Sequence, residues 1–269
     1  MSATGPGVWG RRAGGHRGGE PSGSEPFFWW GPFWSHQPSL SLNELIAAET
    51  ISPEGAAMLA LLIERRASCI VAAGPSGAGK TTFLTALLEA LPADTRRIYL
   101  RGCYEPFDFI ADADASRTAL LVNEISPHLP VYLWGPAARR VFDLIHEGGY
   151  QLLATAHAES VPDLVYQLAA YPLRVPLEAI AAVRLFVFLD AWYDGGLVRR
   201  QVREIAWLRW DGEQGEGIVS QALATRPRRG AQLELDIQAA AALDAELGER
   251  SVPFERALAE RAASLVSPA

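Results

Sequence analysis

Hydrophobic and polar positions alternate between two periods along most of this chain. Residues 70–73 (Ile-Val-Ala-Ala), 118–123 (TALLVN) and 151–155 (QLLAT) are short, almost unbroken apolar runs. Runs of that length predict strands buried on both faces. Residues 97–101 (RIYLR) alternate and predict a further strand. Between them the spacing changes to that of helices. Residues 82–88 put Phe83, Leu84, Leu87 and Leu88 on one face, residues 131–147 predict a long helix ended by Gly148-Gly149, and residues 161–169 predict another. Upstream, residues 39–48 carry Leu40, Leu42, Leu45 and Ile46 at helical spacing. Ser52-Pro53-Glu54 is a helix start: a capping hydroxyl, a proline at the first helical position and an acid beside the positive end of the dipole. That helix is expected to run to about Arg66. Strands alternating with helices predict an α/β fold with a mostly parallel sheet and helices on both faces.

The pattern changes after Pro176. Residues 183–192 and 197–210 are strand-like and are separated by Asp194-Gly195-Gly196, a hairpin signal, so the sheet is expected to finish antiparallel. Residues 212–217 and 226–230 read as linkers. Two alanine-rich helices follow at about 233–247 and 253–265, packed on the domain or on a neighbouring subunit. Residues 1–37 are rich in Gly, Pro and Ser and predict a disordered arm. The arm contains an aromatic cluster, Phe27, Phe28, Trp29, Trp30, Phe33 and Trp34, which suits either packing on the protein's own surface or docking to a partner or a membrane interface. The expected division is arm 1–37, nucleotide domain 38–211, and linker with C-terminal helices 212–269.

Composition narrows the class. At 269 residues, 49% hydrophobic and 20% charged, the chain is an ordinary globular protein with room for a sizeable core. A net charge of −7 argues against a broad nucleic-acid-binding face. Cys69 and Cys103 read as small buried residues of a reducing compartment. No apolar run approaches the roughly 20 residues that span a bilayer, and the N-terminus lacks the order of a signal peptide, so a cytoplasmic protein is expected.

Between the strand at 70–73 and the helix at 82–88 lies Gly74-Pro75-Ser76-Gly77-Ala78-Gly79-Lys80-Thr81, which fits the phosphate-loop pattern G-x-x-x-x-G-K-[ST]. A polyphosphate needs several donors converging on it. Backbone N–H groups supply them only where glycines remove the intervening side chains, and a helix start adds positive potential. The cradle is expected to run from Gly74 through Thr82, with Lys80 reaching the β and γ phosphates of ATP and the Thr81 hydroxyl coordinating Mg²⁺. In an open α/β sheet ligands bind at the carboxyl ends of strands. Two further candidates stand there: Glu124, after LLVN, to polarise an attacking water or hold it through the Mg²⁺ shell, and His157, after LLAT, to contact the γ-phosphate. Taken singly, each also fits a structural role; beside a phosphate loop they read as one site.

These stretches resemble the type II/type IV secretion ATPases, the motors of pilus, tight-adherence and conjugation machines. The resemblance covers about residues 39–208: the segment SLNELIAAETISPEGAAMLALLIERRASCIVAAGPSGAGKTTFLTALLEALPADTRRI, then LLVNEI, like the family's apolar strand ending in Gly-Glu-Ile. It continues through LLATAHAESVPDLVYQL, like its Thr-x-His-Ala box, and the closing VREI. It implies a RecA-like P-loop NTPase, a homo-oligomeric, hexameric ring with ATP between subunits, an inner-membrane secretion platform as partner, and no direct nucleic-acid contact. Glu124 would be the water-activating carboxylate and His157 the histidine-box residue. A neighbouring subunit's arginine would complete the site, with Arg96, Arg97, Arg101 and Arg117 as candidates. The chain departs from the pattern in places. Arg101-Gly102-Cys103-Tyr104-Glu105 stands where the family has its acidic box, leaving Glu105, or Asp108, as a second metal-side acid. Asn123 replaces a glycine, Ser126-Pro127-His128 replaces an arginine-glycine, and the family's large N-terminal domain is missing from the sequence. Two alternatives follow: a nucleotide-binding assembly or regulatory subunit that hydrolyses little, and a small-molecule kinase, for which no arginine-rich lid is evident between Glu124 and His157.

Overall fold

The structure, a computed structural model, describes residues 40–74, 76–129, 131–212, 217–249 and 251–266. The N-terminal arm with its aromatic cluster, and Pro75 of the glycine loop, lie outside the described residues. Helices α1 (Leu42–Ala47) and α2 (Pro53–Glu64) lead in. Ser41 and Glu44 form a reciprocal capping box on α1, and the Ser52 hydroxyl caps α2 ahead of Pro53. There follow β1 (Cys69–Ala72), α3 (Lys80–Leu87), β2 (Arg96–Tyr99), β3 (Thr118–Ile125), α4 (Gly135–His146), β4 (Gln151–Ala156), α5 (Val161–Ala169) and α6 (Leu177–Ala181). The chain ends in β5 (Leu185–Asp194), β6 (Leu197–Asp211), β7 (Gly217–Thr225), the two-residue β8 (Glu234–Leu235), α7 (Ile237–Glu246) and α8 (Phe254–Val266).

The strands form one sheet in the order β2-β3-β4-β1-β5-β6-β7-β8. From β2 to β5 every pairing is parallel; β6, β7 and β8 add antiparallel. Alternation along the strands divides the core in two. Cys69, Val71, Leu121, Leu153, Leu185 and Val187 face α2, α3, α7 and α8, whereas Ile70, Ala72, Leu120, Leu152, Phe186 and Phe188 face α4, α5 and α6. Both sides of the central strands are therefore dry, which is why their sequences read as unbroken apolar runs. The chain is thus the mainly parallel α/β sheet with helices on both faces that its sequence predicts, closed by an antiparallel hairpin. Gly195 and Gly196 take positive φ, 55° and 85°, in the two-residue β5–β6 turn, the geometry that such a turn demands.

Three details differ from expectation. Helix α4 begins at Gly135, not at 131, because Pro136 lacks an N–H and fits only a first turn; the residues before it instead run beside β3, with Leu133 N–H donating to the Glu124 carbonyl at 2.8 Å. The segment after residue 211 contributes β7 to the sheet as well as helices, and α8 packs Phe254, Leu258 and Ala262 into the same core as α2. Cys69 is buried as expected, but Cys103 is exposed, its thiol directed at the Tyr132 carbonyl at 3.2 Å.

Candidate nucleotide site

The loop between β1 and α3 has glycine where backbone must come close or turn left-handed. A Cβ on Gly74 would lie 2.7 Å from Glu159 Cγ, and Gly77 and Gly79 hold φ at +76° and +86°. Gly79 is the N-cap of α3. Whereas α1, α2, α5 and α7 each have a side-chain cap (Ser41, Ser52, Ser160 and Asp236), α3 has none, and no acid stands in its first turn. An uncapped helix start behind glycines leaves donors and positive potential for an anion. The loop opens on a cavity of about 820 Å³, lined by Ser76, Gly77, Ala78, Gly79, Lys80, Thr81 and Thr82. Pockets that enclose a nucleotide-sized ligand fall in the range of about 300–1,000 Å³.

Lys80, Glu124 and His157 meet in that cavity. Lys80 Nζ lies 3.2 Å from His157 Nε2 and 3.9 Å from Glu124 Oε2, and His157 Nε2 lies 3.3 Å from the same carboxylate oxygen. The topology explains how residues 33 and 44 positions apart in sequence come together. Strand β4 lies between β1 and β3, so the loop after β1, the end of β3 and the end of β4 share one edge. A bulge aims Glu124: the β3–β4 register slips between Val122 and Ile125, and the Thr155 hydroxyl bonds the Asn123 carbonyl beside the slip. The Ser126 hydroxyl then donates to Glu124 Oε1 at 2.7 Å. Lys80 and Glu124 are both nearly inaccessible, 7% and 8% exposed. Burial pushes the Lys80 ammonium below its usual pKa, and attraction to Glu124 offsets only part of that. Tyr132 also lines the cavity; burial, then the Glu124 charge, raise its phenol's pKa.

Glu124, His128 and His157 bring potential ligand atoms within 4.8 Å of one another. Two imidazoles suit a borderline cation such as Zn²⁺ better than Mg²⁺, which takes oxygens, and the Lys80 ammonium stands against this trio. For Mg²⁺ the oxygen-bearing side chains that line the cavity include Thr81 and Glu124. Glu105 is not brought there. A short 3₁₀ turn at Gly102–Tyr104 curls the chain back, and the Glu105 carboxylate accepts from the N–H groups of Arg101 (2.8 Å) and Phe107 (3.2 Å), closing its own loop. Asp108 does not line the cavity either.

The four candidate arginines lie away from the cavity within the chain. Arg96 pairs with Asp112, Arg97 donates to the Leu88 carbonyl, Arg117 pairs with Asp94, and Arg101 is exposed. Sequence reasoning missed the arginines that do reach it. Arg199 and Arg200, just past the Gly195-Gly196 turn, line the cavity, and Arg200 Nε donates to the Gly77 carbonyl at 3.1 Å. A Cβ on Gly79 would come within 2.9 Å of Arg200 Cδ. The doubled arginine after a hairpin glycine pair was visible; that the hairpin folds over a loop some 120 positions earlier was not. Apolar residues also line the cavity, including Leu40, Leu45, Leu189 and Leu197.

No family model matches the chain. An uncharacterised protein of Methanocaldococcus jannaschii is 25% identical over 219 residues, which make up 68% of this chain and 36% of the relative. The chain therefore spans about a third of that relative's length. Among solved structures, the crystal structure of the VirB11 ATPase from the Brucella suis type IV secretion system, in complex with sulphate, is similar at a TM-score of 0.41 with 22% identity, over 65% of this chain and 58% of that one.

Proposed function

We propose that this chain binds ATP with Mg²⁺ on the Gly74–Thr82 loop and hydrolyses it, as a cytoplasmic motor subunit of a secretion or pilus assembly machine. The observation that carries the reading is the meeting of Lys80, Glu124 and His157 within 4 Å over an uncapped helix start. In this account the backbone of the loop cradles the phosphates. Lys80 turns from its contacts with Glu124 and His157 to the β and γ phosphates, and Thr81 supplies an oxygen to Mg²⁺. That movement frees Glu124, held at one oxygen by Ser126, to orient and polarise the attacking water. In the same account His157, 3.3 Å from Glu124, contacts the γ-phosphate. Arg199 and Arg200 add positive charge on the rim. The secretion machine, the hexameric ring and the membrane-platform partner rest on the motif resemblance across residues 39–208. Among the described residues no helix is long and apolar enough to cross a membrane.

Mg²⁺-dependent ATP hydrolysis that disappears in Lys80→Ala and in Glu124→Gln supports the proposal; hydrolysis indifferent to both changes sinks it. One observation favours a second reading, a nucleotide-binding regulatory subunit with little turnover: Glu105 is turned into its own loop, leaving Glu124 as the one carboxylate at the catalytic end of the cavity among the described residues. Tight MgATP binding without phosphate release, in the assembled as well as the monomeric protein, would select it.

A further inference from the structure

Apart from the phosphate loop, Arg203, Arg226, Arg228 and Arg229 surround a second cavity of about 220 Å³ together with Asp190 and Trp192. Its walls come from β5, β6 and the turn after β7. The turn is fastened to β6 by Arg226 Nε donating to the Val202 carbonyl (2.9 Å) and by Gly230 N–H donating to Gln201 Oε1 (3.0 Å). The lining holds four arginines and one carboxylate. Asp190 is shared by Arg203 (3.7 Å) and Arg229 (3.5 Å), and Arg229 also lies over the Trp192 ring, 5.4 Å from its centre. Arg226 bonds only the uncharged carbonyls of Val202 and Ala231; burial lowers its pKa and no neighbouring acid counters that. Arg228 is exposed and has no ion pair among the described residues. Four positive charges less one negative leave three in surplus, in a chain whose net charge is −7.

We propose that this pocket is a binding site for a small phosphate-bearing anion, separate from the phosphate loop. A concave surface with surplus charge concentrates anions, and planar guanidinium forks match the oxygens of phosphate. A monovalent carboxylate would leave most of the surplus uncompensated, whereas a phosphate dianion balances two charges. The volume is below the range of about 300–1,000 Å³ that encloses larger ligands, so the pocket suits a phosphoryl group with a small appendage rather than the whole of a nucleoside triphosphate. Successive residues of β6 serve the two sites: Arg200 reaches the phosphate loop and Gln201 lines this pocket.

The test is titration calorimetry of the full chain carrying Lys80→Ala, which removes the loop's own lysine, with inorganic phosphate, pyrophosphate and acetate at low salt. The expected result is saturable binding of phosphate, and weaker or no binding of acetate. Adding Arg228→Glu should weaken phosphate by about tenfold or more, equivalent to about 1.4 kcal/mol. Tryptophan emission should change on binding in the Lys80→Ala chain and not when Trp192→Phe is added. No saturable phosphate binding, affinity unchanged by Arg228→Glu, or acetate bound as tightly as phosphate would each overturn the assignment. Arg228 and Trp192 line this pocket and not the phosphate-loop cavity, so the responses to Arg228→Glu and Trp192→Phe do not depend on the ATPase reading.

Discussion

Replacing Lys80 by methionine separates a ligand-gripping lysine from a structural one. The ammonium lies 3.9 Å from a buried carboxylate, and removing one partner of a buried pair commonly costs about 3–5 kcal/mol. The direction of the Lys80 pKa argues against so large a cost here. It is lowered, so in the folded protein the expense of burying the ammonium outweighs its attraction to Glu124. A base whose folded pKa lies below its unfolded one detracts from stability while it is charged. That deficit shrinks as pH rises through the folded pKa toward 10.5. After the change, Glu124 keeps the Ser126 hydroxyl at 2.7 Å on Oε1 and has His157, 3.3 Å away, as a donor to Oε2. Lys80→Met should therefore alter ligand-free stability by no more than about 1 kcal/mol, well under the broken-pair figure. Nucleotide should show the contrast. At a hundred times its dissociation constant, MgATP should stabilise the unchanged protein by about 2.7 kcal/mol and the variant by almost nothing. Urea denaturation of both proteins with and without MgATP measures all four numbers. A ligand-free loss above about 2 kcal/mol, or an undiminished MgATP shift in the variant, would refute the reasoning.

Other residues give independent checks. Arg200→Ala removes the cation that bonds the Gly77 carbonyl, and it should weaken MgATP and MgADP alike by tenfold or more, the scale of one charged hydrogen bond of about 1.5–3 kcal/mol; Arg200→Lys should recover part of the loss in the same binding titration. Gly102→Ala should cost about 3 kcal/mol in denaturant unfolding, because φ is +61° and the new Cβ would sit 2.2 Å from the Val131 carbonyl oxygen. Burial raises the Cys69 thiol to about 12, from 9.0. An acid whose folded pKa is raised keeps its full contribution below its unfolded pKa and loses it as pH rises beyond. The stability of the unchanged protein relative to Cys69→Ala should therefore fall by about 1.4 kcal/mol between pH 8 and pH 10.

The parts of the molecule legible in the sequence were those written in contiguous residues. The apolar run at Ile70 and the glycines through Gly79 specify strand, turn and helix start locally, so β1, the loop and α3 follow from about twenty positions. Helix α5 was legible to the residue because Ser160 caps it and Pro162 fits its first turn. What depended on contacts between distant segments was not legible. Residues 131–134 have a helix-compatible composition, yet pairing with β3 and the demands of Pro136 hold them out of α4. Strand β7 escaped notice because GIVSQALAT alternates weakly and gains its place from the long β6 beside it. Within the site, the convergence of Glu124 with Lys80 follows from strand order, whereas the exclusion of Glu105 follows from a 3₁₀ turn that no periodicity announces. The roles of Ser126 and Arg200 are likewise matters of approach in space, 2.7 Å and 3.1 Å, between groups with no signature in the sequence.

The central claim is that a triphosphate sits on this loop with a carboxylate and an imidazole at its terminal phosphate. A crystal structure of the chain with Mg²⁺ and a non-hydrolysable ATP analogue tests it most directly. The account predicts phosphates along the backbone from Ser76 to Lys80, the Thr81 hydroxyl on the metal, and the γ-phosphate next to Lys80 with Glu124 and His157 on its far side. An analogue bound elsewhere, or one seated on the loop with Glu124 and His157 turned out of the cavity, would contradict it.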